Sequence, residues 1–225
     1  MTSSRWQAHG NVYLVAETDE YVMEPGLDGV MRVLDVDGDV IRVAIVNPDG
    51  SLAEMSGNGT RIVAAWLMDR TGSDRATVRV GPRAVEVRRV GPRLYESDMG
   101  AVAVGEHEVV EGIEFVPVDV GNPHAVVFGD LDRLPEIGPL LETHPRFPNR
   151  TNVQVVRRDG PNEVTARVWE RGVGETTASG SSAVAVAAAA AGEGEVLVHF
   201  PGGDLRVTIR DGRATLVGPA EPIES

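Results

Sequence analysis

Asn47-Pro48-Asp49-Gly50-Ser51-Leu52-Ala53-Glu54-Met55-Ser56-Gly57-Asn58-Gly59-Thr60-Arg61 and Trp169-Glu170-Arg171-Gly172-Val173-Gly174-Glu175-Thr176-Thr177-Ala178-Ser179-Gly180-Ser181-Ser182 share one layout. A Ser-Gly pair stands nine residues after Asn47 and again nine residues after Glu170, and each pair opens a small, apolar stretch that reads as a helix. The match predicts a duplicated unit with two helix starts aimed at one ligand. Free N–H groups and the positive end of the dipole make a helix start an anion site. Two such starts facing one another could hold a single carboxylate from both sides, with a side chain beside each flanking the adjacent carbon.

Outward from these stretches, alternating apolar residues with frequent turn signals predict strands. They fall at Asn11–Ala16, Val30–Leu34, Val40–Val46, Thr77–Val80, Ala84–Val90, Ile113–Val120 and Ala125–Phe128. Five more follow at Asn152–Val156, Glu163–Trp169, Glu195–Phe200, Leu205–Ile209 and Ala214–Val217. Helices are expected only at Gly57–Asp69, Leu134–Glu142 and Ser181–Ala191. The first and last carry almost no charged face, so each is expected to be enclosed by its own strands, an α/β arrangement of sheets wrapped round a central helix. A polar, acidic stretch from Gly100 to Gly112 is the expected link, dividing the chain into domains 1–111 and 112–225.

The 225 residues carry 21 basic and 34 acidic side chains, a net charge of −13. That balance argues against nucleic acid or an anionic membrane as partner. Lysine is absent, which removes Schiff-base chemistry with pyridoxal phosphate, and cysteine is absent, which removes disulfides, thiolate zinc sites and thiol nucleophiles. No cofactor is expected. The longest small-apolar run, Ala183–Ala191, is far short of the roughly 20 residues of a membrane span, and no signal core opens the chain, so a cytoplasmic protein is expected.

Several polar turns carry candidate chemistry. Glycines 57 and 59 let a ligand approach the backbone, while Asn47, Ser56 and Asn58 add polar groups at a helix start; no Gly-Lys-Ser/Thr follows, so it is not a P-loop. The adjacent Glu170 and Arg171 can bind the ammonium and carboxylate of a zwitterion, or form a surface ion pair worth under about 1 kcal/mol. In Gly121-Asn122-Pro123-His124, Asn122 and His124 could reach the same site. His9 precedes Asn11 at a strand start. No histidines pair at i, i+4, so no metal site is expected. Asp35-Val36-Asp37-Gly38-Asp39 lacks the spacing of a calcium loop and reads as a hairpin turn.

Together these residues resemble the diaminopimelate epimerase family, whose cofactor-independent relatives include proline racemase. The resemblance runs through His9-Gly10-Asn11, Asn47–Ser51, Ser56–Arg61, Gly121–His124, Thr151-Asn152-Val153 and Glu170–Ser182. It implies two pseudo-symmetric domains, each a curled mixed or antiparallel sheet around a central helix, with the active site in the cleft between them. In the family two cysteines face the substrate α-carbon, one removing its proton and the other returning one. Here both positions are serine, Ser56 and Ser179. By the same carry-over, Gly57-Asn58 and Gly180-Ser181 supply N–H donors to the α-carboxylate. Asn11, Asn47, Asn122, Asn152, Glu170 and Arg171 bind the rest of an amino-acid substrate, and His124 matches a site histidine. The implied activity is interconversion of LL- and meso-diaminopimelate for lysine and peptidoglycan synthesis. The oligomeric state stays open, a homodimer included.

The serines matter energetically. A thiol ionises near pKa 8.5 and an alcohol near the roughly 15 of water, a gap of about 6 to 7 units or on the order of 9 kcal/mol. Helix dipoles contribute about 0.3 to 2 kcal/mol each, so serine alone predicts a slow epimerase. Two alternatives follow: a catalytically silent amino-acid binding protein, or an isomerase or dehydratase with another base, as in phenazine-biosynthesis isomerases of the same fold. Glu54, Glu170, Glu175 and His124 are the groups available for that role. The family's longer glycine-rich segment is shortened here to Glu20–Val30, with Gly26-Leu27-Asp28-Gly29 as its remnant.

Overall fold

Apolar alternation sets the strands, and the order in which they pair shows the duplication directly. The computed structural model describes residues 3–18, 20–53 and 55–223. The chain forms two units, Met1–Asp98 with Val217–Ser225, and Met99–Leu216. The first contains β1 (Ser3–Ala8), β2 (Asn11–Ala16), β3 (Gly29–Asp37), β4 (Val40–Val46), β5 (Leu52–Ala53), α1 (Gly57–Thr71), β6 (Arg75–Val80), β7 (Arg83–Gly91) and most of β8 (Leu94–Ala101). The second contains β9 (Ala103–Val104), β10 (Glu108–Val110), β11 (Ile113–Asp119), β12 (Pro123–Phe128), α2 (Leu134–Glu142), β13 (Asn152–Gly160), β14 (Glu163–Glu170), β15 (Gly174–Thr176), α3 (Gly180–Ala191), β16 (Gly194–Phe200) and β17 (Gly203–Arg210). The chain returns to the first unit within β18 (Arg213–Pro219) and ends it with β19 (Glu221–Pro222).

In the first unit the order β1-β2-β3-β4-β6-β7 runs antiparallel, parallel, antiparallel, parallel, antiparallel. In the second, β11-β12-β13-β14-β16-β17 repeats that sequence of pairings. The short β5 and β15 pair with the ends of β4 and β14, and each leads into the helix that carries the next parallel crossover. The fold is therefore the expected mixed α/β arrangement, repeated. β19 pairs with β1, Trp6 opposite Pro222, and the Ile223 N–H donates to the Arg5 carbonyl at 2.9 Å.

Successive strand residues face opposite sides of a sheet, and the two sides are covered differently in the two units. In the second, Val126 joins the cluster around α3, while its neighbours Ala125 and Val127 join the cluster under α2. In the first, Tyr13 and Val15 pack with α1, whereas Leu14 and Ala16 pack with Leu27, Tyr21 and Met23 of the 17–28 segment. Residues of a loop there do the covering that α2 does in the other copy. Asp28 fastens it: its N–H donates to the Val12 carbonyl at 2.8 Å and its carboxylate accepts from the Val12 N–H at 2.7 Å.

Residues 58–68 of α1 are all buried, as is most of α3, so both helices are enclosed as their uncharged faces imply. α1 ends at Gly72, in the left-handed region at φ 72°. Some expectations need correction. Residues 100–112 do not form a link: they hold β9 and β10, both paired with β11 inside the second unit. The division at 111/112 accordingly gives way to one at 98/99, and residues 217–225 return to the first unit. β1, β8 and the two-residue and three-residue strands have too little alternation to be read. The Asp35–Asp39 turn does close a hairpin, with Asp37 opposite Val40 and Gly38 at φ 56°.

Gly138 of α2 lies against the indole of Trp169: a Cβ there would sit 2.7 Å from Trp169 Cγ and 2.8 Å from Cδ2. A rigid ring fixed in a strand cannot yield easily, and the helix-propensity gain of roughly 1 kcal/mol does not offset overpacking of about 1–3 kcal/mol. Gly138→Ala is expected to lower stability by up to about 2 kcal/mol, read as a lower urea midpoint at unchanged slope.

Candidate active site

In the first unit, Ser56 caps α1 from extended backbone (φ −141°, ψ 116°), and its Oγ accepts the Gly59 N–H at 3.0 Å. The Tyr13 hydroxyl lies 3.1 Å from the same Oγ. Beside the cap, Asn58 Nδ2 donates to Asn11 Oδ1 at 2.5 Å, and Asn58 Oδ1 accepts from Arg61. Arg61 also donates to the Gly57 carbonyl at 3.3 Å. Its guanidinium is fully buried, and burial lowers its pKa to about 10, so it stays charged at neutral pH. Asn11, Gly57, Asn58 and Arg61 are thus one hydrogen-bonded group, beside the Ser56 cap with its own partners Gly59 and Tyr13. Asn47 instead closes its own turn, its Nδ2 donating to Ser51 Oγ at 2.9 Å. Glu54 lies outside the described residues.

In the second unit, Ser179 caps α3 from nearly the same backbone conformation, φ −144° and ψ 130°, without a side-chain bond to the helix. Its hydroxyl is hydrogen bonded to Glu170 instead, and the Thr176 hydroxyl donates to Glu170 Oε1 at 2.6 Å. Burial raises the Glu170 pKa above the ordinary carboxylate range, against the opposing pull of these two hydroxyls. Asn152 Oδ1 accepts the Arg171 N–H at 3.0 Å, and its Nδ2 donates to the Pro123 carbonyl at 3.1 Å. His124 is buried with both nitrogens engaged. Nδ1 accepts from Gln154 Nε2 at 3.0 Å, so the proton sits on Nε2, which donates to Asn122 Oδ1 at 3.1 Å. Burial lowers its pKa to about 3, and the Arg171 charge works in the same direction.

Two of the alternative bases are therefore occupied: His124 is neutral and fully bonded, and Glu175 is held by Arg167 at 2.8 Å. Glu170 joins Ser179, while Gly180 and Ser181 form the first turn of α3. The sequence reading missed Tyr13, Arg61, Gln154 and Glu142. Tyr13 and Gln154 each lie two positions beyond a named asparagine on a strand, hence on the same face, which was a usable signal. Arg61 was quoted only as part of a motif, and nothing local marked Glu142. Among the described residues no group of three or more His, Cys, Asp or Glu could hold a metal ion, and no helix is long and apolar enough to cross a membrane.

A sequence model of the family described as diaminopimelate epimerase matches residues 8–104 and 116–222. The diaminopimelate epimerase of Pelotomaculum thermopropionicum is 38% identical over 89% of this chain and 82% of its own. That of Desulfitobacterium hafniense is 37% identical over 87% and 80%. In fold, the chain is similar to a solved structure described as a predicted epimerase from Pseudomonas aeruginosa, with TM-score 0.75 and 19% identity over 99% of this chain and 96% of that one. Fold and relatives together define an isomerase of the epimerase and racemase class. The chain belongs to the diaminopimelate epimerase family.

A neutral, buried His124 has a measurable consequence. Its folded pKa lies below the unfolded 6.5, so the stability it contributes is complete above pH 6.5 and falls as pH drops toward 3. His199, bonded to Asp204 and Glu163, is shifted the other way. In an NMR titration the His124 ring is expected to stay neutral from pH 8 to about pH 5, while His199 titrates above its ordinary 6.5.

Proposed function

We propose that this chain exchanges the α-proton of an amino acid of the diaminopimelate type, interconverting its LL and meso forms in the cytoplasm without a cofactor. One observation carries the reading: Ser56 and Ser179 each cap the buried helix of their own unit at a Ser-Gly step, on matching extended backbone. These are the positions that remove and return the proton. The N–H groups of Gly57-Asn58 and Gly180-Ser181 serve the α-carboxylate, Glu170 and Arg171 the zwitterion, and Asn11, Asn47, Asn122 and Asn152 the remaining polar groups.

The base is the difficulty, and the surroundings of the serines differ in a way that bears on it. Ser56 receives an N–H and faces a phenol, both of which stabilise negative charge on its oxygen. Ser179 instead offers its hydroxyl to a buried carboxylate of raised pKa. Glu170 is therefore the group best suited to accept the α-proton, directly or through Ser179, a carboxylate-base variant of the same exchange. His124, with both nitrogens bonded, serves to orient Asn122.

In D2O, diaminopimelate is expected to acquire deuterium at its α-carbon at a low rate that rises with pH through an apparent pKa above 4.5, and Glu170→Gln is expected to abolish that limb. The paired Ser56→Cys and Ser179→Cys change is expected to raise the rate at least about a hundredfold, since it recovers part of the roughly 9 kcal/mol separating alcohol from thiol. Tight calorimetric binding with no exchange in either protein would identify a silent amino-acid binder, and neither binding nor exchange would defeat the reading.

A further inference from the structure

The turn that carries Glu170 and Arg171 is fixed from behind by a residue of α2 that reaches no candidate ligand position. Glu142, at the last position of α2, is buried at 6% exposure. Its Oε1 accepts the Gly172 N–H at 2.8 Å and an Arg150 guanidinium N–H at 3.2 Å. Its Oε2 accepts the Trp169 indole N–H at 2.7 Å. Burial works against its charge, but the Trp169 and Gly172 bonds and the Arg150 charge outweigh it and hold its carboxyl below the usual range. Glu142 is thus an anion bound on both sides of the dipeptide Glu170-Arg171, at Trp169 before it and at Gly172 after it.

The turn joins β14 to β15, whose ladder closes with Glu170 opposite Gly174, and the Arg171 guanidinium donates to the Asn149 carbonyl at 3.2 Å. Gly172 and Gly174 both stand at positive φ, 78° and 97°, a backbone that glycine alone adopts without strain and that also leaves the segment free to take other shapes. Within the turn the Val173 N–H donates to the Glu170 carbonyl at 3.0 Å. From outside come Asn152, on the Arg171 N–H, and Glu142. The packing of Gly138 on Trp169 sets the α2 helix close enough for Glu142 to reach both groups.

We propose that Glu142 is the positioning residue for ligand recognition by Glu170 and Arg171: its carboxylate holds the Gly172 backbone after them and the Trp169 indole before them, so the pair meets a zwitterion already in shape. Preorganisation of this kind lowers the ordering cost of binding, and a displacement of about 1 Å is enough to lose it. The inference rests on the reading above that Glu170 and Arg171 contact the substrate. Neither Glu142 oxygen is free to take part in chemistry, since each already accepts at least one N–H.

Wild type, Glu142→Gln and Glu142→Ala are compared in two measurements below their melting midpoints. One is amide hydrogen exchange at Arg171 and Gly172 against the core amides of Val155 and Val184. The other is calorimetric binding of LL-diaminopimelate. In Glu142→Ala, exchange at Gly172 is expected to rise at least about tenfold relative to the core amides, with LL-diaminopimelate bound at least about tenfold more weakly. Glu142→Gln should fall between, because an amide keeps one acceptor and turns a donor toward the second N–H. A purely structural Glu142 would lower the melting midpoint and leave the affinity of the folded protein unchanged, which would overturn the proposal. Unaltered Gly172 exchange would overturn it too. If wild type binds no LL-diaminopimelate, the substrate reading fails and this proposal with it; if wild type binds and Glu142→Ala binds equally well, only the role of Glu142 falls.

Discussion

The polar groups around Ser56 and Ser179 are governed by the enclosure of a helix in each unit. α1 and α3 present almost no charge along their length, and strands cover them around their circumference. Such a helix makes polarity obligatory at its two ends, and at the first turn the groups without an intrahelical partner are N–H donors. Ser56 meets this demand by accepting from Gly59, and Asn11, Asn58 and Arg61 gather around the same turn. The cap serines therefore combine two tasks, ending the apolar environment and presenting an oxygen beside free N–H groups. The fold requires the first; the α-proton exchange proposed above draws on the second.

The copies have diverged within this shared frame. Five residues beyond Ser56 stands Arg61, a buried cation bonded to the first helical carbonyl and to Asn58; five beyond Ser179 stands Val184, a core residue. The Ser56 oxygen is surrounded by donors, whereas Ser179 lies on a carboxylate that burial inclines toward its neutral form. One start is electron-withdrawing and the other can take up a proton. Duplication explains the common backbone, and single substitutions at equivalent positions explain the different chemistry.

Much of the fold was legible because its signals are local. Asn11–Ala16, Val40–Val46 and Leu134–Glu142 form within the expected bounds, and the repeated Ser-Gly layout announced the duplication. Unread elements were those whose residues carry no periodic signal. β9 and β10 are fixed by pairing with Val118–Asp119 and Ile113–Phe115, so an acidic composition that resembled a link says nothing of them. Of the side chains, Asn11, Ser56, Asn58, Asn122, His124, Asn152, Glu170 and Ser179 fall into hydrogen-bonded groups within their own units. Gln154 on His124 and Tyr13 on Ser56 were marked only by standing two positions past Asn152 and Asn11 on their strands. Glu142 on Gly172 carried no local signal at all, because its importance arises from where the backbone brings it.

The route of the chain through the two units bears on its biogenesis. Met99–Leu216 is one uninterrupted segment, but the other unit draws its last strand from the far end of the sequence, where Glu221 and Pro222 lie along Gln7 and Trp6 and Ala220 donates to the Arg93 carbonyl. During synthesis on a ribosome the later-made unit can close as soon as it emerges. The earlier-made one keeps its β1 edge unpaired by β19 until Glu221 and Pro222 have left the exit tunnel.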